Sequence, residues 1–220
     1  MRSFAIGYER VCRVILIVFV INCAMVVHTC MGAVAAGFFP AVGAAFATYR
    51  TWMLDEDFSW TVRRTWCTFH AAWKQDVAAA NRFGWAQAAV GALLAWDYYL
   101  ANWNLLGGVV GVGVSGLLLV VNVGYLVWAL VSWAVRAHVD APLGTLLRLS
   151  AVTVVGRPRC TVSLVALLAV VVWVWTRWPG VLVALGASMT VGVVAAAVYS
   201  FAALPGMQVR SLRYTASRLG

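Results

Sequence analysis

Residues 37–54, GFFPAVGAAFATYRTWML, and residues 58–81, FSWTVRRTWCTFHAAWKQDVAAAN, decide how this chain is organised. The first stretch is apolar, the second is rich in tryptophan and basic residues, and an acidic turn at residues 55–57 separates them. Nearly all of the sequence on either side is hydrophobic enough to lie in lipid. These two stretches therefore determine which parts of the chain face water.

The composition is that of an integral membrane protein. Hydrophobic residues make up 64% of the 220 residues, charged residues make up 10%, and the mean hydropathy is +0.89. These values exclude an ordinary soluble domain. A chain of this length has room for about five or six spans, each of roughly 20 residues. We therefore expect an all-α, polytopic transmembrane helical bundle that forms a single membrane domain over residues 1–220.

The apolar runs predict five to six membrane segments and one amphipathic interfacial helix. The run at 40–54 is short for a span, so a helix lying in the interface is the alternative for it. The N-terminal run is expected to be a retained span, the alternative being a signal peptide cleaved near residues 33–35. The predicted spans are 12–36, 40–54, 83–97, 105–135, 160–176 and 181–204, with a cytoplasmic amphipathic helix at 58–78.

The basic residues indicate the orientation. Of the 16 Lys and Arg residues, 15 fall into four groups: near the N-terminus, at 50–82, at 136–159 and near the C-terminus. If all four groups are cytoplasmic they obey the positive-inside rule, which requires six segments and places both termini in the cytoplasm. Because the charges lie at the ends of apolar runs, we assign the net charge of +9 to topology and lipid headgroups, and not to nucleic acid.

The segment at 58–78 combines an aromatic stripe with a basic face. Its large apolar residues recur every three or four positions, as they do on one side of a helix. The simpler interpretation is a helix lying on the lipid bilayer, and the alternative is a docking surface for a cytoplasmic partner. The candidate interface residues under either interpretation are Arg63, Arg64, Trp66, Phe69, Trp73 and Lys74.

Few polar side chains interrupt the apolar runs. His28 is the one ionisable side chain well inside a predicted span, which makes it a functional candidate. Its alternative role is that of a histidine hydrogen-bonded to a neighbour near the outer end of the first helix. The amides are expected to join helices, although with His28 they would line the path of a small transporter. The candidate intramembrane polar residues are Asn22, His28, Gln87 and Asn122.

Asp97 and Arg177 are the two charged residues predicted on the outer face. Aromatic residues surround both positions, as expected for the outer membrane interface. The two charges are expected either to form an ion pair that closes the bundle or to flank an entrance to it.

No motif for catalysis, nucleotide binding or metal binding is present. The sequence lacks a GxxxxGK[ST] phosphate loop, an HExxH zinc motif and a GxSxG nucleophile elbow. The five cysteines show no CxxC spacing and are expected to be free thiols. We therefore predict no catalytic residue, cofactor or metal, and a protein that is not an enzyme.

Residues 37–54 resemble the YesL family of bacterial integral membrane proteins, a domain of unknown function. The stretch is similar to that family's Gly-Phe-Phe-Pro-Ala entry and the aliphatic helix after it, which ends in Arg and Trp. The similarity continues through the aromatic stripe into Ala80–Gly84. RLSAVTVVGRPRCTVSLVALL, at 148–168, is similar to the family's second cytoplasmic connection.

The resemblance implies a protein of the bacterial cytoplasmic membrane that is often associated with carbohydrate uptake, notably with ABC-type sugar transporters. It implies no reaction and no catalytic residue. The Glu-Ala-Ala coupling loop of such permeases is missing from residues 136–159, which argues against a permease subunit. The predicted function is an accessory protein of sugar transport, with a small membrane transporter in its own right as the alternative.

Overall fold

The computed structural model describes residues 2–55, 60–103 and 108–202, and this part of the chain is all-helical. No strand occurs among the described residues, so the predicted all-α class is confirmed for them. The helices are α1 (Arg2–Met31), α2 (Phe38–Leu54), α3 (Val62–Trp103), α4 (Gly108–His138), α5 (Leu143–Gly156), α6 (Pro158–Arg177) and α7 (Pro179–Phe201).

Four of the described helices are long and apolar enough to cross a membrane. They are the Val11–Met31 part of α1, together with α4, α6 and α7. Their length and composition indicate a membrane-spanning protein. The other two predicted spans fall on α2, which has 17 residues, and on the second half of α3, and neither is among the four. The total of six segments therefore stays a prediction.

Glycine and proline set the ends of several helices. α6 and α7 each begin with a proline, where its missing N–H has no helical partner to lose. Between α1 and α2, a Cβ on Gly32 would lie 2.2 Å from the Cα of Gly37, so the turn closes too tightly for a side chain there. The next two residues, Ala33 and Val34, have φ values of 52° and 62°, the left-handed region that non-glycine residues avoid.

α3 differs most from the expectation drawn from the sequence. The predicted amphipathic helix at 58–78 and the predicted span at 83–97 form one uninterrupted helix of 42 residues, about 63 Å long. The junction, residues 78–82, reads AAANR and contains neither glycine nor proline. Because alanine has the highest helix propensity, nothing in this junction ends the helix. Residues 58 and 59 lie outside the described part.

α2 lies at the centre of the bundle. It contacts α1, α3, α4 and α7, and four of its small residues, Ala41, Gly43, Ala44 and Ala45, are buried. Small side chains let neighbouring helices approach closely, which supplies van der Waals contact where lipid removes the hydrophobic driving force. The stretch that the sequence singled out therefore becomes the core of the molecule.

The first half of α3 runs antiparallel beside α2. Arg64 pairs with Asp55 at one end of α2, and Gly84 packs against Phe39 at the other. The second half of α3 pairs with α4 instead. α2 and the first half of α3 thus lie side by side, whereas the sequence predicted a span for α2 and a cytoplasmic position for 58–78. The two predictions are therefore not independent, because the position of α2 also fixes the position of the helix that packs beside it.

Candidate functional site between α1 and α3

The aromatic stripe of α3 faces the interior of the protein. The Phe69 side chain is completely buried, and Trp66 and Trp73 are partly buried against the core. Sequence reasoning assigned these three residues to lipid or to a partner. In the structure the three side chains lie against His28 of helix α1.

His28 of α1 lies at the centre of this stripe and is 1% exposed. Its ring centroid is 5.5 Å from that of Trp66, 5.0 Å from Phe69, 5.2 Å from His70 and 5.2 Å from Trp73. These separations are those of favourable aromatic pairs. We call these five residues the His28 cluster, and it brings together two sets of candidates that the sequence treated separately.

Both ring nitrogens of His28 are engaged. Nδ1 lies 2.8 Å from the carbonyl oxygen of Ala24 and must donate, because a carbonyl only accepts. Nε2 lies 2.9 Å from Nδ1 of His70. In the neutral form of His28, Nε2 therefore accepts a hydrogen bond from Nδ1 of His70. This hydrogen bond connects α1 to α3.

The His28 cluster has too few ligands for a typical metal site. It contains two histidines, whereas tetrahedral sites use three or four protein ligands. Among the described residues, no group of three or more His, Cys, Asp or Glu side chains is placed to hold a metal ion.

A neighbouring side of α3 is basic and exposed, and His70 lies at the border between this side and the aromatic stripe. Arg63, His70 and Lys74 are exposed, and their spacings of seven and four residues place them on one side of a helix. We call these three residues the basic face of α3. Arg64 has a different role, because it pairs with Asp55 and its guanidinium lies 4.6 Å from the Trp60 ring centroid.

Asn22 joins α1 to α7. Its Nδ2 donates to the carbonyl oxygen of Val183 at 3.1 Å, and its Oδ1 accepts from the backbone N–H of Ser188 at 3.4 Å. α2 reaches the same point, because the Tyr49 hydroxyl lies 2.9 Å from Oγ of Ser188. This network fastens three helices together, as buried polar groups in membrane bundles do.

Gln87 and Asn122 join α3 to α4. Gln87 Nε2 donates to Oγ of Ser132 at 2.7 Å, and Asn122 Nδ2 donates to the carbonyl oxygen of Leu94 at 3.1 Å. The four candidate polar residues thus divide among three helix pairs, α1 with α3, α1 with α7, and α3 with α4. The structure does not gather them along one path.

The structure does not bring the outer charges together. Asp97 lies on α3 and Arg177 on α6, and the described parts of these two helices do not contact each other. The sequence placed both residues near short turns, but it held no information about which turns are neighbours.

Sequence reasoning missed an ion pair between α3 and α4. Two guanidinium nitrogens of Arg136 each lie 2.6 Å from a carboxylate oxygen of Asp76, the bidentate geometry that makes such pairs strong. The Arg136 guanidinium also lies 5.4 Å from the ring centroids of Phe83 and Trp133. The available signal was Asp76 itself, the one acidic residue in the basic segment 58–82.

Comparison with known proteins gives a single finding. Residues 18–98 match the family model described as protein of unknown function, DUF624. The matched segment includes all of α2, the His28 cluster and the basic face of α3, and it covers less than half of the chain. No curated protein and no solved structure matches the chain. The match is consistent with a family whose function is unknown.

Proposed function

We propose that this chain is a non-enzymatic integral membrane protein of the bacterial cytoplasmic membrane, accessory to an ABC-type sugar transporter, and that it acts through the basic face of α3. The observation that carries this proposal is the division of α3 into two sides. Trp66, Phe69 and Trp73 pack around His28, while Arg63 and Lys74 stay exposed. His70 is exposed at the border of the two sides and also bonds to His28.

A helix that only rests on lipid turns its aromatic residues toward the bilayer. Here that side is occupied by α1, and the charged side remains open beside a bundle of apolar helices. Hydrocarbon does not solvate charged side chains well, so this face requires water, headgroups or a polar partner. An acidic surface on a transporter component complements it.

The sugar-transport part of the proposal rests on the resemblance of residues 37–54 and 148–168 to the YesL family. The match of residues 18–98 to a family of unknown function agrees with an accessory role and names no substrate. The alternative of a small transporter needs polar groups along one path. Among the described residues, Asn22, Gln87 and Asn122 instead bond within separate helix pairs, so no observation favours that alternative.

Copurification tests the proposal. The tagged chain is purified from its native membrane, and the retained ATPase subunit of a sugar transporter is identified and quantified by mass spectrometry. We expect the double variant Arg63→Glu, Lys74→Glu to retain at least about tenfold less of that subunit, because charge reversal sets like charges against each other. The matched control is Arg148→Glu, which reverses an exposed charge on α5. Full retention by the double variant, or equal loss in the control, contradicts the proposal.

A further inference from the structure

Three helices, α2, α4 and α7, come together near their C-terminal ends at Arg50, His138 and Tyr199. Arg50 lies four residues before the end of α2, His138 ends α4, and Tyr199 lies near the end of α7. Arg50 Nε donates to Nδ1 of His138 at 3.3 Å, and the His138 and Tyr199 ring centroids are 5.6 Å apart. One imidazole therefore links the arginine to the tyrosine.

Arg50 is half-buried and has no acidic partner among the described residues. Its bond to His138 is the one contact of its guanidinium there, and the ion pairs of this part of the chain involve other arginines. The Nη nitrogens carry four N–H groups that no described acceptor receives. A charge partly removed from water without a counter-charge is unfavourable.

Tyr199 presents a second unmet donor at the same place. Its hydroxyl is buried and has no hydrogen-bond partner among the described residues. Buried hydroxyl groups in proteins nearly always have one. Arg50 and Tyr199, the two residues that carry these unmet donors, both contact the His138 imidazole.

The geometry points to a binding site for a phosphate group, formed by the Arg50 guanidinium and the Tyr199 hydroxyl, with His138 holding the guanidinium in place. The planar guanidinium pairs with two oxygens of a phosphate at once, and the hydroxyl donates to a third. The site lies at the end of the bundle that is predicted to be cytoplasmic. The phosphate group is therefore that of an anionic phospholipid or of a soluble phosphorylated molecule, and the site is separate from the basic face of α3.

Calorimetric titration of the full chain in an uncharged maltoside detergent tests this inference. One arm uses inorganic phosphate, and the other uses dihexanoyl-phosphatidylglycerol, with zwitterionic dihexanoyl-phosphatidylcholine as its comparison. Saturable binding of inorganic phosphate supports a soluble source. Binding of phosphatidylglycerol in preference to phosphatidylcholine, without phosphate binding, supports a lipid source. Saturable binding of neither probe overturns the proposal.

Substitutions at Arg50 and Tyr199 test whether any observed binding depends on these two residues. Arg50→Gln is expected to weaken it by about tenfold or more, since a charge-assisted pair is lost. Tyr199→Phe keeps the ring and removes the hydroxyl, and is expected to weaken binding about threefold to tenfold. It is the informative variant if Arg50→Gln does not fold. Arg148→Gln, an exposed arginine on α5, should leave binding unchanged. Unchanged binding in Tyr199→Phe and Arg50→Gln, or an equal loss in Arg148→Gln, shows adventitious anion binding and contradicts the site.

Discussion

At the scale of single residues, His28 is a buried polar side chain of α1 that packs against the aromatic stripe of α3. His28→Ala removes bonds to Ala24 and His70 and leaves a cavity among three aromatic rings. We expect the free energy of unfolding to fall by about 3 kcal/mol. His70→Ala, at an exposed position, removes one of these bonds and should lower it by about 1 kcal/mol. Unfolding of the detergent-solubilised protein in rising dodecyl sulfate measures both, and equal losses would show that His28 is not central to the packing.

Val34 carries local strain in the turn between α1 and α2. Its φ of 62° crowds Cβ against the backbone, and its β-branched side chain is 62% exposed and gains little from packing. Val34→Gly should therefore raise the free energy of unfolding by about 1 kcal/mol, after allowing for the greater freedom of glycine in the unfolded chain. Val90→Gly makes the same change within α3 and should lower it by roughly 1 kcal/mol. A loss of stability in both variants contradicts the strained turn.

The polar residues show what the sequence could predict at this scale. Asn22, Gln87 and Asn122 were expected to join helices, and each one bonds across a helix pair. Rarity within apolar runs was a sufficient signal for these amides. The sequence could not predict which helices they would join, because an amide side chain can form a hydrogen bond with a polar group on any neighbouring helix. The Asp76–Arg136 pair was missed for the same reason, since its two residues are 60 positions apart.

At the scale of helices, the contact between α2 and α3 includes one glycine, Gly84, that has no room for a side chain. A Cβ on Gly84 would lie 2.1 Å from Cδ1 of Phe39 and 2.8 Å from its Cβ, closer than atoms can approach. Gly84→Ala must push the two helices apart or displace the Phe39 ring, and we expect it to lower the free energy of unfolding by about 1–3 kcal/mol.

The matched control is Gly113→Ala on α4, where an added Cβ meets no atom within 4 Å. It should be neutral or raise stability by up to about 1 kcal/mol, because alanine favours helix. The same dodecyl sulfate titration compares the two. If Gly84→Ala is as stable as Gly113→Ala, α2 and α3 are not in close contact at this point.

The sequence predicted where some helices end better than it predicted what packs against each helix. Pro158 and Pro179 begin α6 and α7, and the predicted bounds of these helices lie within a few residues of the observed ones. The separation of α3 into two helices was predicted from a change in hydrophobicity, but a helix ends only where its backbone bonds or propensities fail. The aromatic stripe was ambiguous because lipid, a partner protein and a neighbouring helix present similar apolar surfaces.

At the scale of the whole molecule, four apolar helices and a central α2 define a membrane bundle with a charged helix at its side. Composition alone predicted the bundle. The structure was needed to show that the first half of α3 packs beside α2. The positive-inside rule and the cost of placing Arg63 and Lys74 in hydrocarbon together predict that the basic face of α3 reaches water on the cytoplasmic side.

Cysteine accessibility tests this orientation directly. Single cysteines replace Lys74 on the basic face and Phe69 in the His28 cluster, in a chain whose five native cysteines are changed to serine or alanine. We expect a membrane-impermeant maleimide to label the Lys74→Cys variant only after the cells are opened, and to leave Phe69→Cys unlabelled throughout because that position is buried. Labelling of Lys74→Cys in intact cells would contradict the cytoplasmic orientation. Equal labelling of both variants would contradict the inward packing of the aromatic stripe.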